Sequence, residues 1–193
     1  KPSLLTFYEV TTLFHEFGHG LHGMLANGQY ESLTGTSVPR DFVELPSQMM
    51  ENWCYDPDAL KLFAKHYQTG EVIPNELIEK IRASQNFLAG LANLRQLRLG
   101  LTDMYYHGQK PTGESITEVE NRVDSVANLF PRVKGVAVSP AFSHIFAGGY
   151  SAGYYSYKWS EVLDADAFEF FKEKGGLENK AAADSFRKNV LEK

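Results

Sequence analysis

Leu13-Phe14-His15-Glu16-Phe17-Gly18-His19-Gly20-Leu21-His22-Gly23 is the stretch on which the reading of this chain turns. Around it Val10, Leu13, Phe14, Phe17, Leu21, Met24 and Leu25 recur at spacings of three and four. That stripe predicts one amphipathic helix of about two dozen residues. Ser3 serves as its N-cap in this reading and Asn27-Gly28 as its stop. His15 and His19 then stand one turn apart on one face, where two imidazoles can grip a single tetrahedral Zn²⁺. Glu16, beside the first imidazole, can reach the open coordination position and take a proton from water there. Gly18, Gly20 and Gly23 each lower helix propensity by roughly 1 kcal/mol relative to alanine. Their density predicts that something packs closely against this backbone.

A third metal ligand has to come from elsewhere. His22 shares the face of His19 but lies about 10 Å along the axis from His15, so it reads as a pocket or core histidine, with ligation as the minor alternative. Glu44, in Asp41-Phe42-Val43-Glu44-Leu45-Pro46-Ser47-Gln48, is the leading candidate. The same spacing also fits a capping box, with Asp41 as N-cap and Glu44 at the third helical position. Spacing alone leaves the two readings even. Glu51 is a fallback ligand two turns later.

The rest of the chain reads as mainly α, with at most a small β-sheet. A second helix runs from Asp41 toward Trp53, distorted by Pro46, and a short one covers Ala59 to Tyr67. A long helical stretch runs from Pro74 to His107, with Leu77, Ile81, Leu88, Leu91, Leu94 and Leu101 as its stripe. Gly108, Pro111 and Gly113 form a turn cluster. Ser115 and Glu118 make a capping box for a helix reaching Phe130. Irregular chain follows to Pro140, then a Gly- and Tyr-rich segment leading into a helix near Lys172, and a helical tail from Lys180. The segment from Gln29 to Arg40 has room for a short strand. Tyr150, Tyr154 and Tyr157 would share one face if helical, either as a catalytic set or as an aromatic stripe in the core.

Composition narrows the classes of function. The net charge of -5 disfavours nucleic acid as a partner. No run of apolar residues is long enough to cross a bilayer, so no membrane partner is expected. Cys54 is the only cysteine, which rules out an intrachain disulfide and fits a reducing compartment such as the cytoplasm. It reads as a structural cysteine. The opening Lys1-Pro2-Ser3 reads as a cut inside a longer protein.

Phe14 to Gly23, followed by Pro39-Arg40-Asp41-Phe42-Val43-Glu44-Leu45-Pro46-Ser47-Gln48, resembles the M3 family of zinc metallopeptidases, the thimet oligopeptidase family. His144-Ile145-Phe146-Ala147-Gly148-Gly149-Tyr150 and the tyrosines after it resemble the family's Gly-Gly-Tyr loop. The resemblance implies a helical zincin-type catalytic domain and one Zn²⁺ per chain, held by His15, His19 and Glu44, with Glu16 as the general base. It implies Tyr157 as the donor to the oxyanion, with His144, Tyr150, Tyr154 and the Gly148-Gly149 pair on the substrate. It implies short peptides as substrates, held in a channel completed by the remainder of a longer parent chain. Residues 1–193 then form one C-terminal part of the catalytic region, whose isolated activity would be weak or absent. Two residues, Ile145 and Phe146, separate His144 from Ala147-Gly148-Gly149. This spelling resembles the family's peptidyl-dipeptidases, which release C-terminal dipeptides. An internally cutting oligopeptidase is the alternative within the family, and a metal-free helical scaffold is the alternative outside it.

Overall fold

A computed structural model describes residues 4–108, 110 and 112–193. Its helices are α1 (Phe7–Leu25), α2 (Arg40–Glu51), α3 (Pro57–Phe63), α4 (Asn75–Ser84), α5 (Ala89–His107), α6 (Ile116–Ala127), α7 (Ser143–Phe146), α8 (Ser156–Glu173) and α9 (Lys180–Phe186). A five-residue π-helical turn, Arg187–Leu191, follows α9. Among the described residues no strand forms, and the only bridge pairs Lys65 with Val72. The mainly α reading therefore holds. The Gln29 to Arg40 segment contains two 3₁₀ turns, Glu31–Leu33 and Gly35–Ser37, in place of a strand. The chain divides into two compact units, residues 1–85 with 159–193, and residues 86–158.

In the first unit, α1 and α2 pack against each other. Thr6 caps α1 through a capping box, its N–H donating to Glu9 Oε2 at 2.7 Å. The expected cap, Ser3, lies outside the described residues. Pro39, not Asp41, occupies the N-cap position of α2, because its carbonyl already accepts from the Phe42 and Val43 N–H groups. Asp41 falls in the first turn, where its charge suits the helix dipole. A methyl group on Gly18 would sit 2.5 Å from the Pro46 carbonyl oxygen and from Ser47 Cα. Only a bare α-carbon at Gly18 lets α1 come this close to α2. A methyl on Gly20 or Gly23 would meet nothing within 4 Å, so of these three glycines only Gly18 is required by a close approach.

The α1 stripe also needs correcting. Leu13, Phe17 and Met24 are each more than half exposed, whereas Gly18 and His22 are buried. The most buried side of α1 carries histidine and glycine, while Val10, Phe14, Leu21 and Leu25 of the stripe are partly buried. Met49, Phe171 and Ala182 form a separate small core, edged by Trp53, Phe168 and Phe186. α3 begins earlier than read, at Pro57, because Asp56 caps it by accepting from the Asp58 and Ala59 N–H groups.

The stretch from Pro74 to His107 is not one helix. It breaks between Ser84 and Ala89, where Leu88 takes a left-handed φ of 55°. Reading one helix through the break carried the wrong phase: Ile78 and Leu99 are buried, while Leu77, Leu88 and Leu101 are exposed.

In the second unit, the Ser115–Glu118 capping box forms as read, but α6 ends at Ala127 and not at Phe130. Asn128, the residue after it, is already extended. The carboxylate of buried Glu120 accepts from the Val138 and Ser139 N–H groups, the Ser139 hydroxyl and Arg132. This pins the irregular chain after Pro131 to α6. Leu99, Phe142, Ile145, Tyr150 and Tyr154 form the unit's core. Pro111 of the expected turn cluster lies outside the described residues.

Candidate active site

The first unit brings His15, His19 and Glu44 together. One oxygen, Glu44 Oε2, lies 3.2 Å from His15 Nε2 and 3.2 Å from His19 Nε2. The two imidazole rings stand 5.0 Å apart and nearly perpendicular. Donors bound at about 2.0–2.1 Å to a tetrahedral ion sit roughly 3.3–3.4 Å from one another. The spacing here matches that edge, and two nitrogens with one carboxylate oxygen are a donor set suited to Zn²⁺ with a fourth position left for water. Among the described residues this is the one group of three or more such side chains close enough to hold an ion. The capping-box alternative for Glu44 fails, because its side chain is 99% buried and turned to the imidazoles.

Two further residues of α2 hold this arrangement. The Ser47 hydroxyl lies 2.9 Å from both the Glu44 carbonyl and Glu44 Oε2, sharing its one proton between them. Glu51 Oε1 lies 2.7 Å from His15 Nδ1. Glu51 is thus not in the ligand group but orients a member of it, fixing the proton on Nδ1 and turning Nε2 inward. Glu44, Ser47 and Glu51 are spaced by three and four, so one face of α2 carries all three. That spacing was the signal for Ser47, which sequence reading missed. Glu16 lies exposed on α1 beside His15. His22 is completely buried, and neither ring nitrogen has a hydrogen-bond partner. Burial, and then the charge of His19, push its imidazole below the ordinary value, which agrees with a core histidine. Burial first, and then the charge of Glu51, push the Cys54 thiol up to about 12, which makes it inert.

Burial alone would depress the His15 imidazole, but hydrogen bonds and charge from Glu44 and Glu51 outweigh it and raise it from 6.5 to about 9. In protein stripped of metal, the stability contributed by protonated His15 is complete below about pH 6.5 and is lost as pH rises through about 9. Zinc uptake has the opposite sign, because a metal ion takes the neutral ring. Zinc affinity is expected to climb with pH over the same window, by up to about tenfold per unit where one proton is displaced. Zinc titrations of the stripped protein across this range check it; an affinity that does not change with pH would remove His15 from the ligand set.

The second unit gathers the aromatic residues, though not on a helix. α8 begins only at Ser156, and Tyr150 and Tyr154 sit in the turns before it, with Gly149 at φ 79° and Ala152 at φ 51°. Tyr150 stacks on Tyr157 at 5.1 Å and 20°, and Tyr154 lies 5.0 Å from Tyr157. The His144 ring lies 5.8–6.1 Å from all three. Tyr150 and Tyr154 are core residues packed with Phe142 and Ile145, whereas Tyr157 is half-buried and His144 exposed. The glycines have local reasons of their own: a methyl on Gly148 would meet His144 Cα at 2.9 Å, and Gly149 is left-handed. Asp103, fully buried on α5, accepts from the Ala152 and Tyr154 N–H groups of this turn. No sequence pattern joins it to residues some fifty positions away.

A model of Peptidase family M3 matches residues 1–193. The chain is 49% identical to Oligopeptidase A of Escherichia coli (strain K12), over 99% of its own length and 28% of that protein's. It is 47% identical to Organellar oligopeptidase A, chloroplastic/mitochondrial, of Arabidopsis thaliana, over 99% and 25% of the respective lengths. Identity to Dipeptidyl carboxypeptidase of Escherichia coli (strain K12) is 41%, over 92% and 26%. The chain therefore spans little more than a quarter of these relatives' length.

Proposed function

The chain belongs to peptidase family M3, and from that premise we propose that it carries the metal centre of a zinc-dependent enzyme that hydrolyses short peptides. The observation that supports this most is the meeting of His15, His19 and Glu44 on one edge length of a zinc tetrahedron, with Glu16 next to the first of them. Zn²⁺ bound there would supply Lewis-acid polarisation of the scissile carbonyl and acidify water. Glu16 takes the proton of the attacking water and passes it to the leaving amine. Glu51 and Ser47 keep His15 and Glu44 in register during this transfer. The Tyr157 hydroxyl donates to the oxyanion. His144, Tyr150 and Tyr154 position the peptide, together with the Gly148-Gly149 backbone. The remainder of a longer chain supplies the other walls of the peptide channel, and the working compartment is the cytoplasm.

Two cleavage modes remain in play, each with an observation behind it. The Ile145-Phe146 spacing favours release of C-terminal dipeptides. Higher identity to proteins named oligopeptidase A than to a dipeptidyl carboxypeptidase favours internal cleavage. Local packing weakens the first argument, because Ile145 is a fully buried core residue and its turn has a structural reason to exist.

Digestion of an N-terminally blocked peptide by the full-length protein, followed by mass spectrometry, tests both points. Chelation is expected to abolish cleavage and one equivalent of zinc to restore it. Successive losses of two residues from the C-terminus identify a peptidyl-dipeptidase, and a single internal cut identifies an oligopeptidase. Cleavage indifferent to chelation would overturn the zinc-dependent reading, and a protein that neither binds zinc nor cleaves peptide would leave only the metal-free scaffold reading.

A further inference from the structure

The Gly- and Tyr-rich turn faces a physical problem that α5 solves. Residues 147–155 belong to no helix or strand; the Ala147, Gly148, Tyr150 and Gly153 N–H groups find nearby carbonyls, whereas those of Ala152 and Tyr154 take an acceptor from outside the stretch. Ala152 stands at φ 51°, a conformation that costs a non-glycine residue roughly 1–2 kcal/mol. Something outside the turn has to hold it there.

Asp103 is fully buried in the last turns of α5, and both of its oxygens are used. Oδ1 accepts from the Ala152 N–H at 2.9 Å and lies 2.8 Å from His107 Nδ1. Oδ2 accepts from the Tyr154 N–H at 2.8 Å. A buried carboxylate persists only when its acceptor sites are filled by donors. Here two of the donors are the backbone N–H groups on either side of Gly153, beginning at the strained residue. His107 is held in turn by ring contacts with Phe146 at 5.6 Å and Tyr106 at 6.4 Å. The carboxylate is therefore fixed from α5 and aimed at the turn.

The geometry points to Asp103 as a positioning residue: it clamps the turn that presents Tyr150 and Tyr154, and through that turn it sets how tightly the enzyme holds peptide. This rests on the reading of those tyrosines as substrate-binding residues. The clamp acts on residues 152 and 154, while Tyr157 stands on α8. Loss of the clamp should therefore raise KM more than it lowers kcat.

Asp103→Asn keeps the shape but turns an amide N–H₂ toward one of the two backbone N–H groups. In the full-length protein, the Ala152 and Tyr154 amides are expected to exchange with solvent at least about tenfold faster. kcat/KM should fall by a similar factor, mostly through KM, with zinc content little changed and melting temperature lowered by the loss of a buried charge-assisted hydrogen bond. Adding Ala152→Gly, which adopts the same φ without strain, should recover part of the loss. A purely structural role would not produce that split in the kinetics or that rescue. Unchanged exchange at the two amides overturns the clamp whatever the tyrosines do. Faster exchange with unchanged kcat/KM overturns the positioning role. Tyr154→Phe and Tyr150→Phe, measured beside it, show separately whether the tyrosine reading falls. Should Asp103→Asn not fold, Ala152→Val drives the turn out of φ 51° from the other side of the clamp. It should give the same KM-weighted loss, and unchanged kinetics there would overturn the proposal as well.

Discussion

Replacing Glu44 by alanine is expected to lower the zinc affinity of the protein by on the order of a thousandfold or more, leaving it metal-free at buffered nanomolar zinc. The magnitude follows from what is removed. Two imidazoles and one carboxylate make up the whole protein contribution to the centre, and Glu44 is the only negative charge among them. Its oxygen touches both imidazole nitrogens, and among the described residues no other such group of metal-binding side chains forms. The loss has a second consequence. Ser47 lies fully buried against the vacated carboxylate, and its hydroxyl keeps only the Glu44 carbonyl as acceptor. Deleting this buried side chain should destabilise the first unit by about 1–3 kcal/mol. Glu44→Gln separates the two effects: it keeps the volume and a partner for Ser47 but carries no charge, so zinc affinity should fall while the stripped protein loses only the share of stability that Glu44 lends to protonated His15. Metal analysis after dialysis against a zinc buffer reads the first effect and melting of the stripped protein the second. A Glu44→Ala protein that still holds one zinc would return this residue to a mere packing role.

The sequence carried the parts of this site that depend on local periodicity. The spacing of His15 and His19 places them on one face of a helix whatever surrounds it, and the Ser115–Glu118 box is a contact within one turn. It did not carry choices made by tertiary packing. Asp41 and Glu44 spell a capping box as well as Thr6 and Glu9 do, yet only the second pair forms one. The difference is that Glu44 faces α1, where two imidazoles offer more than a backbone N–H at a helix end. The break before α5 was equally hidden. No glycine or proline marks it, and Leu88 takes up the left-handed conformation itself. Asp103 shows the limit most clearly, because nothing in the residues near it tells which backbone its carboxylate will reach. Glu51 was visible but weighed alone, as a rival to Glu44. On the same face of α2 the two have complementary tasks, one beside each nitrogen of the His15 ring.

Glu16→Gln should separate metal binding from chemistry in the opposite direction to Glu44→Ala. The exchange preserves size and removes only the capacity to take a proton. Zinc stoichiometry is therefore expected to stay at one per chain, and melting of an exposed helix position should barely move. kcat is expected to fall by about 10²–10⁴-fold, the range that general acid–base catalysis supplies, with KM close to that of the unaltered enzyme. The comparison has to be made in the full-length protein, where peptide binding is complete. Two features make Glu16 the residue to change. It follows His15 on α1, the place that the proposed mechanism gives to the base. It is also exposed, unlike Glu44, and so can serve a water molecule and a peptide that arrive from solvent. Glu16→Asp, which retracts the carboxylate by one methylene, should fall between the two, since a base out of reach by an ångström loses much of its advantage. Near-normal turnover in Glu16→Gln with zinc still bound would transfer the base role to another carboxylate. Glu51 would then be the first to test, being the remaining acidic side chain in contact with the ligand set.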